Sequence, residues 1–295
     1  MDISVALGGG GAKGAAHIGV LSSLEKHGYR IRALAGTSAG GIIGAIYAAG
    51  FHPDEILERF QNIERSSLYG RRPGDGPSLL GVSGINQVLT DMLGTLSFDD
   101  LRFPFVVTAV DLITGQEVIL RKGRVVDAVL ATMSLPGIFP HQEWDDYHLV
   151  DGGLLDPIPV APARSLAPHL PVVAVALSHM VQVDDPFLTP PKFLAPEPLL
   201  RQIARLRVAQ AFNIFLRSVD IGSCALAELK LKIDRPEVLI RPPVAAIGLL
   251  DPVDVAEVAK LGEQATEEAI PDLLAAFSWS ARLRRLFRQS PTYPD

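Results

Sequence analysis

Hydrophobic positions in the first half of the chain alternate between short continuous apolar runs and stretches with helical spacing. This is the pattern of βαβ units around a mostly parallel sheet. Ile3–Leu7 reads as a buried strand, followed by a helix over Ala15–Lys26 that His27-Gly28 ends. A second strand is expected at Arg30–Ala35 and a second helix at Gly41–Ala49, closed by Gly50. A third helix starts after Pro53, with Asp54 and Glu55 in the first turn, where the helix dipole favours acids. Farther on, the pattern predicts a short helix near Ile85–Leu93 and a hairpin of Phe105–Val110 with Glu117–Leu120 around Thr114-Gly115. A helix over Val125–Met133, a short strand at Tyr147–Val150 and a buried strand at Pro171–Leu177 follow. Ser66–Gly84 and Ser178–Pro198 are dense in turn formers and read as loops. The remainder is largely helical, with a strand near Val238–Ile240.

Length changes the picture little: 295 residues with 48% apolar content fit one large α/β domain spanning 1–295. A net charge of −6 argues against a general nucleic-acid binder, so no nucleic-acid partner is expected. The single cysteine, Cys224, excludes an intramolecular disulfide and nearly excludes a thiolate zinc cage. Met1–Leu7 lacks the basic region of a signal peptide. Ala33–Phe51 carries no charge over 19 residues, but its five glycines suit strand, turn and buried helix better than a bilayer span. A cytoplasmic protein without a spanning helix is expected.

Two glycine signatures carry candidate chemistry. Gly8–Gly14 lies between the first strand and the first helix, where successive unencumbered amides would form an anion site. The frame Gly9, Gly11, Gly14 also matches the dinucleotide fingerprint, yet the second strand ends in Ala35-Gly36 rather than an acid. A Walker loop fails because Gly14 follows Lys13. Gly36-Thr37-Ser38-Ala39-Gly40 sits in the strand–turn–helix context of a nucleophile elbow, although Ser38 as a plain helix N-cap fits as well. In a right-handed βαβ unit both loops emerge at the same sheet edge, so the amides would face Ser38. Acyl transfer needs both parts, whereas a nucleotide- or anion-binding module needs no serine elbow.

A serine needs a base. The order Ser38, Asp151, then His179 or His169 would meet an α/β-hydrolase triad. His17, His27 and His52 suit solvated or capping roles. Glu143, Asp145, Asp146, His148 and Asp151 form a polar cluster, with Asp146 and His148 on one strand face, but the spacing fits no standard metal motif and no metal is expected. Asp151-Gly152-Gly153, following a strand, is more distinctive.

With Gly9–Gly14, Gly36–Gly40 and Asp151–Gly153 in that order, the chain resembles the patatin-like phospholipase family over roughly residues 1–180. Ser134–Pro140 and Phe105–Thr114 look like its intervening segments. The resemblance implies a three-layer α/β/α sandwich with a mainly parallel central sheet and a helical C-terminal part, about 198–290. It implies a Ser38–Asp151 dyad, an oxyanion hole drawn from Gly9, Gly10, Gly11 and Ala12, and support from Lys13, Gly14, Gly36, Gly40, Gly152 and Gly153, without a cofactor. Lys13 could equally be a solvated first-turn residue. Ile138 and Phe139 are candidate acyl-pocket walls, or simply core. A lipid or ester substrate is the implied partner. Leu199–Arg217, basic and amphipathic, could touch an anionic membrane surface, cap the site or pack on the core.

Overall fold

Parallel pairing starts where two apolar runs each feed a helix: β1 (Asp2–Leu7) lies beside β2 (Arg30–Gly36), and α1 (Ala15–Lys26) and α2 (Ala39–Ala48) return along the sheet. The computed structural model describes residues 1–63, 68–70, 78–177 and 207–286. Further strands are β3 (Phe105–Asp111), β4 (Glu117–Leu120), β5 (Gln142–Trp144), β6 (Tyr147–Asp151), β7 (Val172–Val175) and β8 (Val238–Ile240). They form one sheet in the order β5-β6-β3-β2-β1-β7-β8, with β4 also paired to β3. The strands from β3 to β8 along this order run parallel, while β4, β5 and β6 make an antiparallel edge.

Alternation along the strands divides the core into two layers. Val5, Leu7, Leu34, Val107, Val173 and Val175 face one side, where α1, α2, α5 (Val125–Thr132) and α8 (Val255–Glu268) cover them. Ala6, Ala35, Val106, Val172 and Ala174 face the other, against α6 (Val160–Leu166) and the lower half of α7 (Arg207–Asp234). Small residues on this second face let α6 approach until Ser4 Oγ donates to the Ala163 carbonyl at 2.7 Å. The expected α/β/α layering is therefore present, and α9 (Ile270–Ala275) and α10 (Trp279–Leu286) complete the helical C-terminal part.

The long elements agree with the periodicity to within a residue or two. One strand went unpredicted: β5 has three residues, too few to show a period, and is held by pairing with β6. Asp145 and Asp146 form the turn between them, with Asp145 at φ 49, so Asp146 does not share a strand face with His148 as expected. The capping role foreseen for His52 is observed: its Nδ1 accepts from Asp54 N, opening α3 (Pro53–Gln61). The helix near Ile85–Leu93 is α4 (Ser83–Leu93).

Candidate active site

Ser38 occupies a sharp turn between β2 and α2 with φ 52 and ψ −120, a conformation L-residues seldom adopt. The turn closes because Gly40 is glycine: a Cβ there would run into the Leu7 carbonyl oxygen. Ser38 N donates to Thr132 Oγ1 at 2.9 Å. Its hydroxyl caps nothing on α2, which removes the N-cap alternative. Instead Ser38 Oγ donates to Asp151 Oδ2 at 2.6 Å.

Asp151 ends β6, where its own amide donates to the Ser134 carbonyl at 2.9 Å. Its second carboxylate oxygen, Oδ1, accepts from Gly153 N at 2.7 Å. The side chain is buried, and loss of hydration raises its pKa to about 6, even though the Ser38 and Gly153 hydrogen bonds pull the other way. A carboxylate of that strength accepts a proton far more readily than an ordinary aspartate.

The glycine loop faces this pair from the end of β1. Gly9 N donates to the Pro157 carbonyl at 2.9 Å and Ala12 N to the Leu249 carbonyl at 2.8 Å. Those two amides are engaged, which narrows the expected donor set to Gly10 and Gly11. At Gly11, φ is 57 and a Cβ would collide with the Leu249 carbonyl. Gly14 packs against Ala39, where an added Cβ would lie 2.6 Å from that of Ala39.

Two residues beside the loop are enclosed. Burial of Lys13 removes its solvated alternative, and its Nζ lies 4.0 Å from Asp220 Oδ1. His17 is fully enclosed, and its Nε2 lies 2.7 Å from the Gly8 carbonyl oxygen. Burial lowers its pKa to about 4, so the ring is neutral and Nε2–H donates to Gly8, leaving Nδ1 without a partner among the described residues. Helical spacing alone gave no sign that this face of α1 points inward beneath the loop.

A cavity of about 620 Å³ opens from Ser38 and Asp151. Phe139 lines it, stacked on Tyr69 with ring centroids 6.0 Å apart. Ile138 does not: it is fully buried in the core behind that wall. The wall also includes Phe60, Ile85, Val88, Leu89 and Leu250, which sequence reasoning did not single out. Their periodicity was visible, but an apolar helix face reads the same whether it meets core or cavity. His169 lies elsewhere, lining a separate recess with Met1, Asp2 and Arg30, while His179 lies outside the described residues. Of the Leu199–Arg217 segment, residues 199–206 also lie outside them; Ile214 and Phe215 are exposed, and Arg217 pairs with Asp220 at 2.9 Å. No helix among the described residues is long and apolar enough to cross a membrane.

The patatin-like phospholipase family model matches residues 5–164, a stretch that contains the glycine loop, the Ser38 turn and Asp151. The chain belongs to this family. Similar proteins include an uncharacterized NTE family protein of Mycobacterium tuberculosis, 34% identical over 178 residues, 60% of this chain and 49% of that protein. Another from the same species is 29% identical over 280 residues, covering 92% of this chain and 48% of its own length. A lysophospholipase of Debaryomyces hansenii, NTE1, is 30% identical over 164 residues, 54% of this chain and 11% of that protein. The patatin-like chain thus spans about half the length of its mycobacterial relatives.

Proposed function

We propose that this chain is a serine acyl hydrolase that cleaves carboxylic esters of lipids, in the manner of a phospholipase A, a lysophospholipase or an esterase. The observation that carries the reading is the 2.6 Å hydrogen bond from Ser38 Oγ to Asp151 Oδ2 at the mouth of an apolar cavity. Ser38 Oγ attacks the ester carbonyl carbon as Asp151 takes its proton. The amides of Gly10 and Gly11 hold the oxyanion of the tetrahedral intermediate. Collapse of that intermediate expels the alcohol, which receives the proton from Asp151, and leaves an acyl-enzyme on Ser38. Asp151 then deprotonates a water that attacks the acyl carbonyl, and the fatty acid departs as Ser38 recovers its proton.

Family membership and the lysophospholipase activity in the name of one relative support a lipid ester as substrate. Apolar walls suit an acyl chain, which loses contact with water on entry. Exposed Ile214, Phe215 and Ile221 on α7 support peripheral contact with a lipid surface during substrate capture.

Hydrolysis of a short p-nitrophenyl ester by wild type, Ser38→Ala and Asp151→Asn tests the assignment, once circular dichroism shows that all three fold. Both variants are expected to lose nearly all turnover and Ser38→Ala to lose labelling by a fluorophosphonate. Full activity in Asp151→Asn would overturn the dyad.

A further inference from the structure

The β5–β6 hairpin gathers three side chains with metal-ligating atoms on one face. His141 immediately precedes β5, one residue removed from Glu143, and Glu143 is the cross-strand partner of His148. One ring nitrogen of each histidine and one carboxylate oxygen of Glu143 all lie within 4.8 Å of one another. The two imidazoles are tilted at 48° with centroids 5.2 Å apart, so they converge without stacking flat.

The backbone beneath them is fixed. His148 N donates to Asp111 Oδ1 at 3.0 Å, and the His148 carbonyl accepts from Leu112 N at 2.9 Å. Asp111 also accepts from Thr114 N and Thr114 Oγ1, which locks the β3–β4 turn against the base of β6. A hairpin anchored in this way presents its side chains with little backbone freedom to lose.

We propose that His141, Glu143 and His148 form a binding site for a divalent transition-metal ion, with zinc as the best match. Two imidazoles and one carboxylate suit zinc, whereas magnesium and calcium favour all-oxygen shells. Ligand atoms about 2.0–2.1 Å from zinc in tetrahedral geometry lie about 3.3 Å from one another. Glu143 is exposed and free to rotate, so the present separations close by side-chain motion alone. A fourth position is left to water. Strand alternation puts His148 on the sheet face opposite Asp151, so the ion would not touch Ser38 or its base. Its effect is instead to clamp β5 to β6, the strand that ends in Asp151. The site is independent of the hydrolase assignment.

Titration calorimetry of the metal-free protein with zinc chloride, beside His141→Ala, Glu143→Gln and His148→Ala, tests the site. Wild type is expected to bind one ion with a dissociation constant in the micromolar range or tighter, and each variant to bind about tenfold or more weakly. Zinc should raise the melting temperature of wild type by a few degrees and that of His148→Ala by clearly less at the same zinc concentration. Cobalt should give the visible absorption of a tetrahedral centre in wild type only. Absence of binding by wild type would overturn the proposal, as would variants that bind like wild type, since the ion would then lie elsewhere. Circular dichroism and the metal-free melting temperatures of the variants separate loss of ligands from loss of fold.

Discussion

The imidazole of His17 reaches out of α1 to within 2.7 Å of the Gly8 carbonyl oxygen, and the amide of the same peptide unit, Gly9 N–H, reaches Pro157 at 2.9 Å. That peptide is pinned at both ends, immediately ahead of the two amides assigned to the oxyanion. On the proposed oxyanion assignment, His17 is a positioning residue. His17→Phe should lower kcat about tenfold or more with a smaller change in KM, because the donors are needed mainly in the transition state. His17→Gln, which keeps an N–H donor, should recover part of the loss. A merely structural role would lower the melting temperature in both variants without the kcat-selective defect.

Activity should depend on the ionisation of Asp151. With its pKa raised to about 6, kcat/KM should climb through pH 6 and level off above it, as a pH-rate profile of ester hydrolysis would show. An ordinary exposed aspartate would place that limb about two units lower.

The same shift predicts a stability trade. A carboxyl whose folded pKa is raised contributes stability below its unfolded value of 3.8, and that contribution is lost as pH rises through about 6. Asp151→Asn removes the burial of charge, so the inactive variant should be more stable than wild type at pH 8, by about 1–3 kcal/mol, and gain less at pH 4. Paired thermal melts at the two pH values measure it. His17 acts with the opposite sign: its pKa is lowered to about 4, so the stability it allows is present above 6.5 and falls away as pH drops towards 4.

Gly11→Ala combines an unfavourable φ of 57 with a collision against the Leu249 carbonyl. It should cost about tenfold or more in kcat/KM and about 1–3 kcal/mol in stability. Gly10→Ala meets the Leu177 side chain at 3.0 Å instead and should be milder, so kinetics of the two variants give a ranked pair.

Enlarging a cavity wall should shorten the preferred acyl chain. Val88→Phe fills space in the cavity that Phe139 also lines, so the ratio of kcat/KM for long over short p-nitrophenyl esters should fall, while short esters react nearly as in wild type.

Local patterns made the first βαβ unit legible. The glycines around Ser38, the strand before them and the helix after them are all encoded within a few neighbouring residues, and so is the turn after β6 that carries Asp151. Contacts distant in sequence were not legible. Nothing near Ala12 foretells that its amide meets Leu249, and nothing near Ile138 distinguishes a core position from a cavity wall. His17 and Lys13 sit at positions that a helix wheel allows to be solvated, and only the packing of later helices encloses them. His141 lies just before β5, a strand too short to show a period, so nothing in the local pattern placed it beside Glu143 and His148.

Leu249 and α8 lie beyond residue 164, where the family match ends, yet they meet the loop and the helix it feeds. Gly19 on α1 and Gly262 on α8 cross so closely that a Cβ on either would strike the other helix's backbone. Ala12 meanwhile borrows its acceptor from Leu249. The reaction centre is thus written in one part of the chain and moulded by another. A fragment cut to the matched residues would keep every motif and still lose the contour that aims the amides, so swapping C-terminal segments among relatives is a way to retune turnover without altering a single motif residue.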